Sequence, residues 1–188
     1  MRQREKASSI SYKDLMTALN GVVAAALLFA IPFINIPSKD NPDATKPPGD
    51  IMACIEWQGP HDVDLWATSP EQKIATGYAN KNGETLDLVR DDLGNDPKVI
   101  VHRECQFARG LPDGRWVFNI HGYSIRDKNV KVHSEITIGS DGNFVILDER
   151  DLVINQQEEI TIVQFRLQNG RLVPGSKNIV NTKLRSNG

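Results

Sequence analysis

Residues 15–36, a run of 22 that opens at Leu15, contain no Asp, Glu, Lys or Arg. As a helix rising about 1.5 Å per residue, the run would reach roughly 33 Å, enough to cross the ~30 Å hydrocarbon of a bilayer once. Nothing else in the chain limits its architecture so strongly. Before the run stand Arg2, Arg4, Lys6 and Lys13 against Glu5 and Asp14. After it, Lys39 and Lys46 are offset by Asp40, Asp43 and Asp50. Lys and Arg near a span are retained on the cytoplasmic side, so residues 1–8 are expected to be a cytoplasmic basic leader and 9–36 a transmembrane helix. The remainder then lies outside. The competing reading is a secretory signal peptide, because the wholly apolar and small part, residues 21–34, fits an h-region. That reading needs an n-region containing Asp14, and no small-x-small cleavage site stands between Ile34 and Pro48. An uncleaved span is expected.

Asp14 carries the most chemistry. Ser11-Tyr-Lys-Asp14 has the spacing of a capping box, in which the carboxylate sits harmlessly in the positive first turn. If the helix begins earlier, nearer Ser8 or Ser9, Asp14 lies more than a turn inside it, at the hydrocarbon edge. An ionisable group there is costly, faces protein or water rather than lipid, and is a candidate for moving ions. Helical spacing places Ala18, Gly21 and Ala25 on one stripe with Asp14, a small-residue face that allows another helix close approach.

The segment Ser11-Tyr-Lys-Asp14-Leu-Met-Thr-Ala-Leu19, with one apolar span after a short basic leader, resembles the membrane helix of the MotB, ExbD and TolR ion-channel subunits, and MotB most. The resemblance covers about residues 8 to 36. It implies that Asp14 binds the transported ion, a proton or a sodium ion, with Tyr12 as its aromatic neighbour and Thr17 a polar residue one turn on. It also implies a homodimer inside a ring of five polytopic MotA, ExbB or TolQ-type subunits, with ion flow driving rotation.

Residues 37–50, punctuated by Pro37, Pro42, Pro47, Pro48 and Gly49, read as a semi-extended linker. Residues 51–188 form the expected soluble domain. Asn82-Gly83, Asp113-Gly114, Asp141-Gly142 and Asn169-Gly170 are hairpin-type turn signals between period-two runs at 115–121, 130–138 and 159–167. Further strands are expected at 52–57, 63–68, 75–78, 86–90 and 99–105. So many short strands without an amphipathic helix predict an all-β, antiparallel, sandwich-like extracytoplasmic domain. MotB-type chains usually end instead in an α/β peptidoglycan-binding domain, and ExbD and TolR in a small α/β domain. Neither pattern is present, which puts cell-wall anchoring in doubt.

From residue 38 onward the chain holds 18 basic and 22 acidic residues, a balance that argues against nucleic acid as a partner. Cys54 and Cys105 lack C-x-x-C spacing and allow one disulfide, which an extracytoplasmic location permits. Asp62, Asp64, Asp91 and Asp92 could meet across strand ends as a hard-cation site of the calcium kind, although Asp at strand ends is ordinarily a turn former. His61, His102, His121 and His133 carry no ligand or catalytic spacing, and no nucleophile signature accompanies them, so no enzyme is expected and no cofactor beyond the transported ion. The sequence thus leads to a dimeric ion channel and stator-like subunit of a rotary motor in a bacterial inner membrane. The alternative is a membrane-anchored or secreted β-sandwich binding module without transport.

Overall fold

The computed structural model of the protein describes residues 15–17, 20, 50–140 and 143–185. The expected span over 9–36 and the linker over 37–50 therefore lie almost wholly outside the described residues; Leu15, Met16, Thr17 and Asn20 are helical. Among the described residues no helix is long and apolar enough to cross a membrane. The chain divides into two units, Met1–Thr45 and Lys46–Gly188.

The described residues of the second unit form nine strands: β1 (Ile51–Gln58), β2 (Asp62–Thr68), β3 (Leu86–Leu88), β4 (Val101–Ala108), β5 (Gly114–Ser124), β6 (Val130–Ser140), β7 (Asn143–Ile154), β8 (Glu159–Gln168) and β9 (Arg171–Leu172). They build a five-stranded sheet in the order β3-β4-β1-β6-β7 and a four-stranded sheet in the order β2-β5-β8-β9. Every pairing is antiparallel. Alternation decides which face is buried. Ile51, Ala53, Ile55 and Trp57 of β1, with Val130, Val132 and Ile136 of β6, meet Leu65 and Ala67 of β2 and Trp116, Phe118 and Ile120 of β5 in one apolar core. At its centre the rings of Trp116, Phe118 and Phe165 stack in near-parallel planes with centroids 6.1–6.5 Å apart, a geometry that adds to the area they bury.

Most of the expected strands are present with shifted ends. In β6, Val130, Val132 and Ile136 are buried and Lys131 is exposed, as period two requires. Asn169-Gly170 makes the tight turn between β8 and β9, with φ of 52° and 68°, the doubly positive pattern of a type I′ hairpin. Asp141-Gly142 lies outside the described residues, although β6 and β7 pair out to Ser140 and Asn143 on either side of it.

Three expectations need correction. Residues 75–78 are not a strand: Thr76 alone bridges β2, exchanging backbone hydrogen bonds of 2.8 and 3.0 Å with Ala67. Gly77 then passes over the Trp66 ring so closely that a Cβ would lie 2.6 Å from it. Asp113-Gly114 is not a hairpin turn, because β4 and β5 belong to different sheets and the chain crosses between them there. Asn82-Gly83 closes only a local loop, in which Asn82 bridges Asp87. β7, for which the sequence offered no alternation, is a full edge strand of 12 residues.

Beyond β9 the chain runs extended across β8. Gln164 and Asn178 exchange backbone hydrogen bonds of 2.9 Å, and Thr182 N–H donates to Thr161 Oγ1 at 2.9 Å. Asn119 Nδ2 donates to Thr182 O at 2.7 Å. This strap is why Asn119, His121 and Thr161 are buried although they point away from the core.

Cys54 and Cys105 are direct cross-strand partners of β1 and β4 and form a disulfide with Cα atoms 4.2 Å apart. The bridge closes a loop between residues 51 apart in sequence. Disulfides typically stabilise by about 2–4 kcal/mol, and the loop-entropy account puts a closure of that size near the top of this range. The double substitution Cys54→Ala, Cys105→Ala is therefore expected to lower the unfolding free energy of the full chain by that amount, read from its denaturant midpoint, with unchanged far-ultraviolet dichroism. An unchanged midpoint in the double variant would remove the bridge as a source of stability.

Candidate metal centre

Three buried polar residues occupy alternate positions on the inner face of β4, where an apolar row would be ordinary: His102, Glu104 and Gln106. Their placement follows from topology. β2 is the outer strand of its sheet, so one side of its backbone has no strand neighbour. The β4 side chains take that neighbour's place. Glu104 Oε2 accepts from Leu65 N–H at 2.8 Å, while Gln106 Nε2 donates to Leu65 O at 2.6 Å and to Thr76 O at 3.2 Å. The second Glu104 oxygen, Oε1, accepts from Asp92 N–H at 2.9 Å. One carboxyl thus joins both sheets and the loop that leaves β3.

That loop is folded by Asp92. Its Oδ1 accepts from Gly94 N–H at 3.1 Å and meets His102 Nδ1 at 2.9 Å, and its Oδ2 accepts from Arg103 N–H at 3.3 Å and from Arg90 at 2.5 Å. Burial pushes the Asp92 carboxyl up, but these four donors outweigh burial and hold it below the usual carboxylate range. Gly94 has φ +62°, and a Cβ there would lie 1.8 Å from the His61 carbonyl oxygen, so only glycine lets the loop close over the start of β2. The same carbonyl accepts from Trp57 Nε1 at 2.7 Å.

The fold brings carboxylates together in this corner. One oxygen each from Asp64 of β2, Asp91 of the loop and Glu104 of β4 lie within 4.8 Å of one another. Asp64 Oδ2 meets His121 Nδ1 at 3.1 Å, and His121 Nε2 is bonded by the Arg185 guanidinium, which also lies 5.9 Å over the Trp66 ring. Arg has only donors, so Nε2 accepts and the Nδ1 hydrogen is directed at Asp64. Lys81 lies 3.2 Å from Asp91 Oδ2. The other Asp91 oxygen, Oδ1, is buried without a hydrogen-bond partner, as is Oδ1 of Asp62.

Burial and the fields of Asp64, Asp91 and Asp92 push the Asp62 carboxyl up to about 6. Burial pushes Glu104, which is 1% exposed, much further, to about 9, against the opposing pull of the Leu65 and Asp92 amides. Chemically, the corner is a set of oxygen donors able to hold protons or a hard cation.

Of the four aspartates that the sequence singled out, Asp64 and Asp91 converge, Asp62 stands beside them in their field, and Asp92 is taken up by its own donors. Glu104 went unrecognised in the sequence. Its signal was present in the spacing of His102, Glu104 and Gln106, three polar residues at every second position of a strand ending in a buried Ala108. Thr17 is helical, whereas Tyr12, Asp14, Ala18, Gly21 and Ala25 lie outside the described residues. Comparison of the chain with protein-family models, with curated proteins and with solved structures finds no match.

The Glu104 proton sets a pH dependence. Between its ordinary value of 4.5 and about 9, the folded chain keeps a proton that the unfolded chain has released, so stability falls as pH rises through that window. Asp62 adds the same sign below about 6, and His61, held below its ordinary 6.5 by burial, adds the opposite sign below that value. His133, held above its ordinary 6.5 by its hydrogen bond to Asp151, adds the same falling sign just above that value, so Glu104 is identified by the part of the decline between 6.5 and about 9 that its own substitution removes. In EDTA, the melting temperature of the full chain is expected to fall across that interval, and Glu104→Gln to flatten the decline. An equal slope in the two proteins would show that Glu104 is not the group responsible.

Proposed function

We propose that the chain is the dimeric ion-channel and stator-like subunit of a MotA/MotB-like rotary motor in a bacterial inner membrane. Its N-terminus is cytoplasmic and its β-sandwich domain periplasmic or extracellular. The observation that carries this reading is Asp14, two residues after Tyr12 and directly before Leu15-Met-Thr17, at the head of 22 residues free of charge. A carboxylate at that depth alternates between bound and free forms as its surroundings change, which is what ion passage between two subunits requires. The small face of Ala18, Gly21 and Ala25 supports close packing of two such helices.

The β domain gives the motor its output. A stator must be held still while its partner ring turns, so this domain is assigned the binding of an extracytoplasmic partner. Because the described residues of the second unit build antiparallel sheets, unlike the α/β peptidoglycan-binding domain that usually ends MotB-type chains, cell-wall attachment is not part of the proposal.

Asp14→Asn separates channel from anchor. The amide nearly keeps the carboxylate's shape, but can neither carry a proton nor attract a cation by charge. The expected outcome is loss of biological output with retained co-purification of a polytopic MotA-like partner, and partial output from Asp14→Glu. Full output from Asp14→Asn would leave the anchored binding module as the better reading, and loss of the partner as well would make the residue structural.

A further inference from the structure

We propose that Asp64, Asp91 and Glu104, with Asp62 beside them, bind one divalent hard cation of the calcium class in the β domain. The geometry comes first. Their three oxygens lie within 4.8 Å of one another, close enough to share one ion whose ligands sit near 2.4 Å. They come from three separate elements, β2, the loop after β3, and β4, so the ion would be held by the tertiary fold rather than by one turn.

A second observation points to a ligand independently. Asp62 is 8% exposed, makes no hydrogen bond through its side chain, and has its Oδ1 wholly buried. Asp91 Oδ1 is likewise buried and unpartnered. Folded proteins leave few such atoms, because an unpaired buried carboxylate oxygen forfeits its hydration without replacement. The charges that raise Asp62 are those of Asp64, Asp91 and Asp92, opposed by His121, so its carboxylate stands in the field of the cluster.

Charge balance agrees. Asp92 is matched by Arg90 and His102, and Lys81 faces Asp91 from a half-exposed position. Among the described residues, Asp62 has no cationic side chain within ion-pair distance and Asp64 has only the His121 imidazole, while Glu104 is neutral until it gives up its proton, which a cation bound to it would displace. Two positive charges placed among these groups would offset that excess. The donor set is all oxygen, which disfavours zinc and its preference for sulfur and nitrogen. Magnesium demands a near-ideal octahedron at about 2.0–2.1 Å, gives up its waters reluctantly and suits a cage of protein carboxylates less well. The hydrogen bond from His121 to Asp64, braced by Arg185, then acts as outer support that orients a ligand carboxylate.

The test is calorimetric titration of the full-length chain in detergent micelles, stripped with EDTA, using calcium chloride and, separately, magnesium chloride and zinc chloride. One calcium per chain is expected, with a rise in melting temperature and weaker binding of the other two ions. Asp91→Asn is the decisive variant. Its side chain is 18% exposed on a loop outside the core, so the β fold should survive while calcium affinity falls at least about tenfold. Asp62→Asn is expected to weaken binding less. No calcium heat and no melting shift in the folded wild-type chain would overturn the proposal, as would preferential binding of zinc or undiminished calcium affinity in Asp91→Asn.

Discussion

The Glu104 carboxyl is the polar contact on which the acidic corner between the two sheets depends. An edge strand presents backbone groups that need partners, and β2 finds them in a side chain from the opposite sheet rather than in another strand. Losing that acceptor would leave the Leu65 amide buried and unpaired, a cost of about 1–3 kcal/mol, and would release the loop amide of Asp92 with it. The contact is also why the corner is acidic. A carboxyl strong enough as an acceptor to hold two amides carries its own desolvation penalty. The fold meets that penalty by protonation, and a bound cation would meet it by charge.

Around this contact, the other unusual features fall into one sequence of causes. Asp92 must place its amide against Glu104, so its own oxygens are used to shape the loop. The loop must pass over the His61 carbonyl, which requires Gly94. Asp91 then projects toward Asp64 of β2, and Asp64 is fixed by His121, which the C-terminal strap covers through Arg185. The acidic corner and the strap are thus parts of one arrangement.

How much of this the sequence revealed depends on where burial is one-sided. β6 and β8 have enough alternating apolar residues to be read directly, and the Asn169-Gly170 turn declares itself. β7 does not, because Asp148, Glu149, Arg150 and Asp151 interrupt its alternation; as an edge strand it exposes Val145, Ile146 and Val153 and needs no continuous apolar face. The 75–78 segment reads as a strand from its composition, but the Trp66 ring beneath Gly77 makes it a strap. Asp64 and Asp91 were legible as donors because paired acids at strand ends attract notice. Glu104 was not, because a lone acid between Arg103 and Cys105 looks solvent-facing until the sheet order shows which strand lacks a neighbour.

Leu65 offers the most direct measurement of the role given to Glu104. Residue-resolved amide hydrogen exchange on the full-length chain should find the Leu65 amide protected as strongly as amides in the ladder between β2 and β5, because Glu104 occupies the place of the missing strand. Exchange of Leu65 at the rate of an open sheet edge, with the β2–β5 ladder still protected, would contradict it.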